Sequence, residues 1–180
     1  ANSATDLDAV IMCGPEDVTD WDLVSGNAEL VRAGYGDGMA VVGMVMFNSD
    51  LIVFKKGDAG GMVMRLAGAN GDPASWSVSR LASGDPLTNA QSVVVAANNV
   101  FYGTIHGVKD LAVVTAYGDI NEGVVGRTIN SLVLNKVIKN ISHCPSRGVL
   151  FVIVEGSEYV FVYHTTNRVW TAFHFGIFHQ

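Results

Sequence analysis

The sequence predicts an all-β protein, and three observations lead there. Valine fills 27 of the 180 positions and glycine another 20. Charged residues make up 16%, against roughly 25% in an average globular chain, and Glu and Lys, the usual material of helix surfaces, occur five times each. Third, an apolar segment closed by a glycine returns with a period near fifty: LIVFKKG at 51–57, VFYGTIHG at 100–107 and VLFVIVEG at 149–156. Gly57, Gly107 and Gly156 are spaced by 50 and 49 positions. β-Branched residues among Gly, Asn, Asp and Ser describe strands joined by tight turns. A helical bundle, a coiled coil and a disordered chain are excluded on the same grounds.

Taken in chain order, the elements fall into repeating groups of four. DAVIMCG at 8–14, the turn Pro15-Glu16-Asp17 and DWDLVSG at 20–26 read as two strands of an incomplete unit, followed by a linker over 27–38 containing Gly34, Gly36 and Gly38. The first full unit, 39–89, offers strands at 39–48, 51–57, 61–66 and 75–81, with Asn48-Ser49-Asp50 as its first turn. The second, 90–136, offers 90–99, 100–107, 109–116 and 124–130, with a turn at Asn98-Asn99. The third, 137–180, offers 137–146, 149–156, 158–165 and 168–173, with a turn at Ser146-Arg147. Four strands in 40–50 residues is the pattern of β-propeller blades. Trp21, Trp76 and Trp170 lie 55 and 94 residues apart, one repeat and then two. A sandwich or barrel also places turns every 8–12 residues, but glycines and tryptophans in phase favour the propeller. The expectation is one continuous propeller-type domain of about three and a half blades. Such a part-ring is completed by a longer chain, by further copies, or by closing as an unusually small propeller.

Charge and motif content narrow the function. The net charge is −6 and no run of Lys or Arg occurs, so a conventional nucleic-acid patch is not expected. The longest apolar runs, such as 148–154, are strand-sized, so no membrane-spanning segment is expected, and the N-terminal ANSATDLDAV lacks the features of a signal peptide. Cys13 and Cys144 form no C-x-x-C and read as reduced structural cysteines. His143 and Cys144 are adjacent, so in a strand they point to opposite faces and do not share a metal. His174 and His179 flank an apolar run near the chain end, and His106 and Asp110 flank Gly107 as a solvated turn pair. GYGDG at 34–38 resembles a phosphate cradle in composition alone, because a strand rather than a helix N-terminus follows it. Neither G-x-S-x-G nor a Walker loop is present. Glu16, Glu29, Glu122, Glu155 and Glu158 fall mostly in turns, which leaves a glycosidase pair unsupported. NGDPASW at 70–76 carries Asp72 and Trp76 in the wrong order for an Asp-box turn. The expectation is therefore no catalytic residue, no cofactor-binding residue, no metal ligand and no enzyme. Contact surfaces are expected at the turns bearing Lys55-Lys56 and Arg168. The ending FHFGIFHQ, with Phe173, Phe175 and Phe178, is costly to expose and is expected to meet a partner.

GPEDVTDWDL at 14–23 followed by GYGDGMAVVGMVMFNSDLIVFKKG at 34–57 resembles β-propeller virion proteins of tailed bacteriophages, of the tail nozzle, tail-tube and head-to-tail accessory type. Pro15, Asp17 and Trp21, then Gly36-Asp37-Gly38, then Leu51, Val53, Phe54 and Lys55 carry the resemblance, and TTNRVWTAF at 165–173 is similar to their blade-closing strands. Family members are usually much longer. The resemblance implies a structural virion protein in the tail, present in the host cytoplasm during assembly. It implies a homo-oligomeric ring, contacts with other tail proteins, and non-specific passage of DNA through a channel whose acidic wall repels the phosphates. A carbohydrate-binding propeller recognising host glycans is the alternative, and a hydrolase on the same scaffold comes third.

Overall fold

The computed structural model describes residues 7–13, 19, 23, 28–58, 60–68, 76–114 and 119–174. These residues form fourteen strands, all paired antiparallel, in one two-stranded and three four-stranded sheets, with an α-helical turn at Asn130–Val133 and 3-10 turns at Gly126–Thr128 and Pro145–Arg147. The chain divides into two compact units, Ala1–Gly84 and Asp85–Gln180.

In the first unit, β1 (Ala9–Met12) pairs with β2 (Glu29–Arg32), and β3 (Ala40–Phe47), β4 (Asp50–Gly57), β5 (Gly60–Ala67) and β6 (Ser77–Gly84) form a sheet in sequence order. The expected strand at 20–26 lies outside the described residues apart from Leu23. The partner of β1 comes instead from the segment read as a linker. Glycines crowd only 34–38 of that segment, while Glu-Leu-Val-Arg at 29–32 is free of glycine and holds the apolar pair Leu30-Val31. Val10 and Ala33, with Met12 and Val31 beside them, pack on Leu51, Val53, Met64 and Leu66, so the hairpin covers one face of the sheet. Trp76 packs against the same cluster.

The second unit repeats the plan. β7 (Val93–Ala96), β8 (Asn99–Thr104), β9 (Gly107–Val114) and β10 (Asp119–Val124) form one sheet. β11 (Ile138–Cys144), β12 (Val149–Val154), β13 (Tyr159–His164) and β14 (Val169–His174) form the other. Their facing residues make one core: Phe101 and Val108 from the first sheet meet Ile141, Leu150, Val152, Phe161 and Tyr163 from the second. The tightest turns use consecutive left-handed residues, Asn48-Ser49 between β3 and β4 and Ala97-Asn98 between β7 and β8, whose twist matches that of the strands they join.

One expected strand is corrected. The segment 124–130 is not the fourth strand of its sheet, because β10 ends at Val124 and the chain then winds through a 3-10 turn at Gly126–Thr128 and the helical turn at Asn130–Val133. Valine at 124 and 125 reads as strand, but the apolar residues that follow, Ile129 and Val133, are four apart. That spacing brings both onto one side of a helical turn, and both are buried in the core between the sheets. Val133 N donates to Ile129 O at 3.2 Å.

Candidate functional site

The most buried charge is Lys55, placed by the pleat of β4. Lys55 and Lys56 face opposite sides of the strand; Lys56 is exposed, whereas the Lys55 side chain is 0% exposed. Its ammonium donates to Ala33 O at 2.5 Å, Gly34 O at 3.0 Å, and Asp37 Oδ1 and Oδ2 at 2.7 and 2.6 Å. The loop 33–38 wraps this ammonium. Gly34 (φ 85°) must be glycine twice over, since its backbone is left-handed and a Cβ there would stand 2.7 Å from Asp37 Oδ2. Asp8 fixes the other side of the loop, accepting from Arg32 Nη1 at 3.1 Å and from Gly36 N at 3.3 Å. An ammonium has three protons, and all are engaged by protein acceptors. Lys55 is thus a fastener, not a nucleophile, and the glycine loop cradles a cation from its own chain rather than a phosphate.

A second cluster lies in the other unit. His106 Nδ1 stands 2.6 Å from Asp85 Oδ1, and Lys109 Nζ is 3.0 Å from Asp85 Oδ2. Burial pushes the Asp85 carboxyl up, but the hydrogen bonds and charges of Lys109 and His106 outweigh it and hold the group below the usual carboxylate value. Asp110, on the other side of Gly107, accepts from Asn99 Nδ2 at 3.1 Å. Asp85 lies 21 residues upstream of His106, and no local spacing points to it. These bonds tie the β8–β9 turn to the start of the unit.

The other candidates disperse. His143 and Cys144 pair with Leu150 and Val149 on successive positions of β11 and so face opposite sides, and Cys144 Sγ is 3.4 Å from Ser146 Oγ. Both cysteines are free thiols. His174 Nε2 meets Glu158 Oε2 at 3.2 Å and stacks edge-on with Tyr159 at 5.1 Å, while His179 lies outside the described residues. Glu155 pairs with Lys139 at 2.8 Å on the surface, and Glu29 is exposed on β2. Trp170 is turned inward, its Nε1 donating to Val125 O at 3.0 Å and its ring 4.9 Å from Tyr163. Arg168 is an exposed turn residue with φ 55°. Phe173 is exposed on β14. Pro15, Glu16, Asp17, Trp21, Asp72, Phe175 and Phe178 lie outside the described residues, as does the Glu122 side chain.

Among the described residues, no three of His, Cys, Asp and Glu converge as a metal site, and no helix is long and apolar enough to cross a membrane. The arrangement is that of interlocked sheets with charge used as fasteners. No family model and no curated protein matches the chain.

Proposed function

We propose that the chain is a structural virion protein of a bacteriophage tail. Its four-stranded sheets are read as blades of a propeller-type assembly, present in several copies around the channel through which DNA leaves. The observation that carries this reading is the contact between Asp37 and Lys55. The two segments on which the resemblance rests, Gly36-Asp37-Gly38 and Leu51-Ile52-Val53-Phe54-Lys55, are far apart in sequence and close on each other through that ion pair. A motif whose members hold one another is what a scaffold requires, and it gives a physical reason for aspartate and lysine at those places. The strictly sequential strand order in all three four-stranded sheets, each strand pairing with the next, fits the blade meander. The acidic balance of the chain suits a wall past which DNA slides.

A carbohydrate-binding propeller would need aromatic rings presented at repeated positions. Trp76 and Trp170 pack onto the two cores; among the described residues the exposed rings are Tyr35, under the Arg32 guanidinium at 4.9 Å, and Phe151, Tyr159 and Phe173 on the last sheet, whereas Phe101, the counterpart of Phe151, is buried. Negative-stain microscopy of the purified protein tests the tail reading. Rings of several copies with an axial opening support it, and a monomer that binds a glycan on an array replaces it with the lectin reading.

A further inference from the structure

The strands β4, β8 and β12 begin at Asp50, Asn99 and Val149, 49 and 50 residues apart, so their residues correspond one to one. Leu51, Val100 and Leu150 then point to one face of their sheets, and Ile52, Phe101 and Phe151 to the other. Leu51 packs toward the hairpin that precedes its sheet, and Leu150 packs toward the sheet that precedes its own. Phe101 packs toward the sheet that follows. Each sheet therefore has a preceding and a following face. On the following face, Ile52 is 0% exposed and Phe101 3%, yet Phe151 is 36% exposed. Its neighbours across the register are open too: Ile153, aligned through Val160 with Phe173, and Val169. Among the described residues this face of the last sheet leaves Phe151, Ile153, Val169 and Phe173 open around the buried Val149 and Val162, with Asn140, Ser142, His164 and Thr171 as its polar members.

The complementary surface exists in the same chain. Among the described residues, β1 and β2 with Trp76 cover the preceding face of the first sheet, and Met44, Met46 and Val78 are exposed beside Leu51, Val53 and Leu66. Charge selects between occupants. Residues 1–84 hold eleven carboxylates and five basic residues, a net −6, whereas residues 85–180 hold six of each and all five histidines. Two exposed cations also lie at one end of this sheet. The turns Pro145–Arg147 and Thr165–Arg168 leave the sheet on the same side and present Arg147 and Arg168 to solvent.

We infer that the β11–β14 face of one copy docks on the acidic N-terminal unit of a second copy, head to tail, extending the sheet-on-sheet contact already present between β7–β10 and β11–β14. The inference rests on the oligomeric reading above and names the surfaces that reading needs. Contacts of this kind are heterologous, each copy offering two different patches.

Hydroxyl-radical footprinting of the unaltered protein at rising concentration, read beside native mass spectrometry, is the first arm of the test. Phe151 and Phe173 are expected to gain protection together with Met44 and Met46 as copies assemble. The second arm uses two variants, Ile153→Glu with Phe173→Glu, and Met44→Glu with Met46→Glu. Each alone is expected to be monomeric with an unchanged thermal transition, and the mixture to give a one-to-one pair and nothing larger, because each partner retains one working surface. Assembly of the unaltered protein with neither face protected overturns the docking surface and leaves the ring reading standing. A methionine variant that still dimerises overturns the head-to-tail contact in favour of a self-paired one. An unaltered protein that stays monomeric at every concentration overturns both readings and assigns the β11–β14 face to further polypeptide.

Discussion

A lysine ammonium removed from water costs several kcal/mol unless its protons find acceptors, and Lys55 finds two carbonyls and both oxygens of Asp37. Truncating the partner is worse than never having had the pair, because the buried charge stays. Asp37→Ala is therefore expected to cost about 3–5 kcal/mol in urea unfolding, far more than the ~1 kcal/mol of an ordinary surface ion pair. A loss below 1 kcal/mol would mean that water reaches Nζ. Asp85 makes a different prediction. Its carboxyl is held below the ordinary aspartate value in the folded protein, so the folded state binds this proton less readily than the unfolded one. The stability it contributes is present above the unfolded value of about 3.9 and is lost as the pH falls through the lower folded value. Asp85→Asn should flatten the acid limb of the stability curve, and identical acid limbs in the two proteins would discount the Lys109 and His106 bonds. Ala97 is a third case. It occupies a left-handed turn position at φ 47° without a side chain suited to it. Ala97→Gly should raise stability by about 0.5–1 kcal/mol, read as a shift in the denaturation midpoint.

The two sheets of the second unit meet along a seam where strands nearly touch. Gly103 on β8 lies against Ile138 on β11, and a Cβ at Gly103 would stand 2.7 Å from the Ile138 Cβ and 3.1 Å from the Ser92 Cβ. Thr88 stitches the same seam, its hydroxyl donating to Ile138 O at 2.9 Å, and Ile141 N donates to Gln91 O at 3.1 Å. Gly103→Ala must push the strands apart, and a loss of about 1–3 kcal/mol is expected for such overpacking. A neutral alanine would show that the seam is looser than its hydrogen bonds imply. Much of this architecture could be read from the sequence, because the glycine-closed apolar runs such as 149–156 and the polar turn at Asn48-Ser49 are local signals; the second turn falls one residue earlier than expected, on Ala97-Asn98. What could not be read is equally specific. The Asp37–Lys55 and Asp85–His106 pairs join residues 18 and 21 positions apart, and no spacing rule reaches across a folded loop. A hint existed in Lys55 itself, a charge inside an apolar strand, which implies a buried partner without saying which. The segment after Val124 misled for the opposite reason. Its valines carry strand propensity, but the packing of Ile129 and Val133 between two sheets overrides it.

The first unit offers a face that the described residues cover sparsely, and the last sheet of the second unit offers another that leaves apolar side chains open. A self-paired contact would use one patch twice and stop at two copies. A head-to-tail contact uses two patches, so each added copy presents the β11–β14 face again and growth continues unless the rotation per copy closes the circle. Which of these happens decides whether the tail reading holds, since a channel needs a closed ring and an open rotation gives fibres. The β11–β14 face supplies the adhesion for either outcome, because Phe151, Ile153, Val169 and Phe173 together expose apolar surface of a kind that marks interaction sites on folded proteins. The excess of carboxylates in residues 1–84 opposes any contact between two N-terminal units and so works against self-pairing at that end. The prediction is a single assembled species whose mass is one integer multiple of 19.1 kDa, the same at every concentration above the threshold for assembly. Native mass spectrometry distinguishes the cases directly. One sharp multiple above two supports closure. A ladder of masses that lengthens with concentration would mean that the contact is head to tail but open, and the ring around a channel would have to be abandoned.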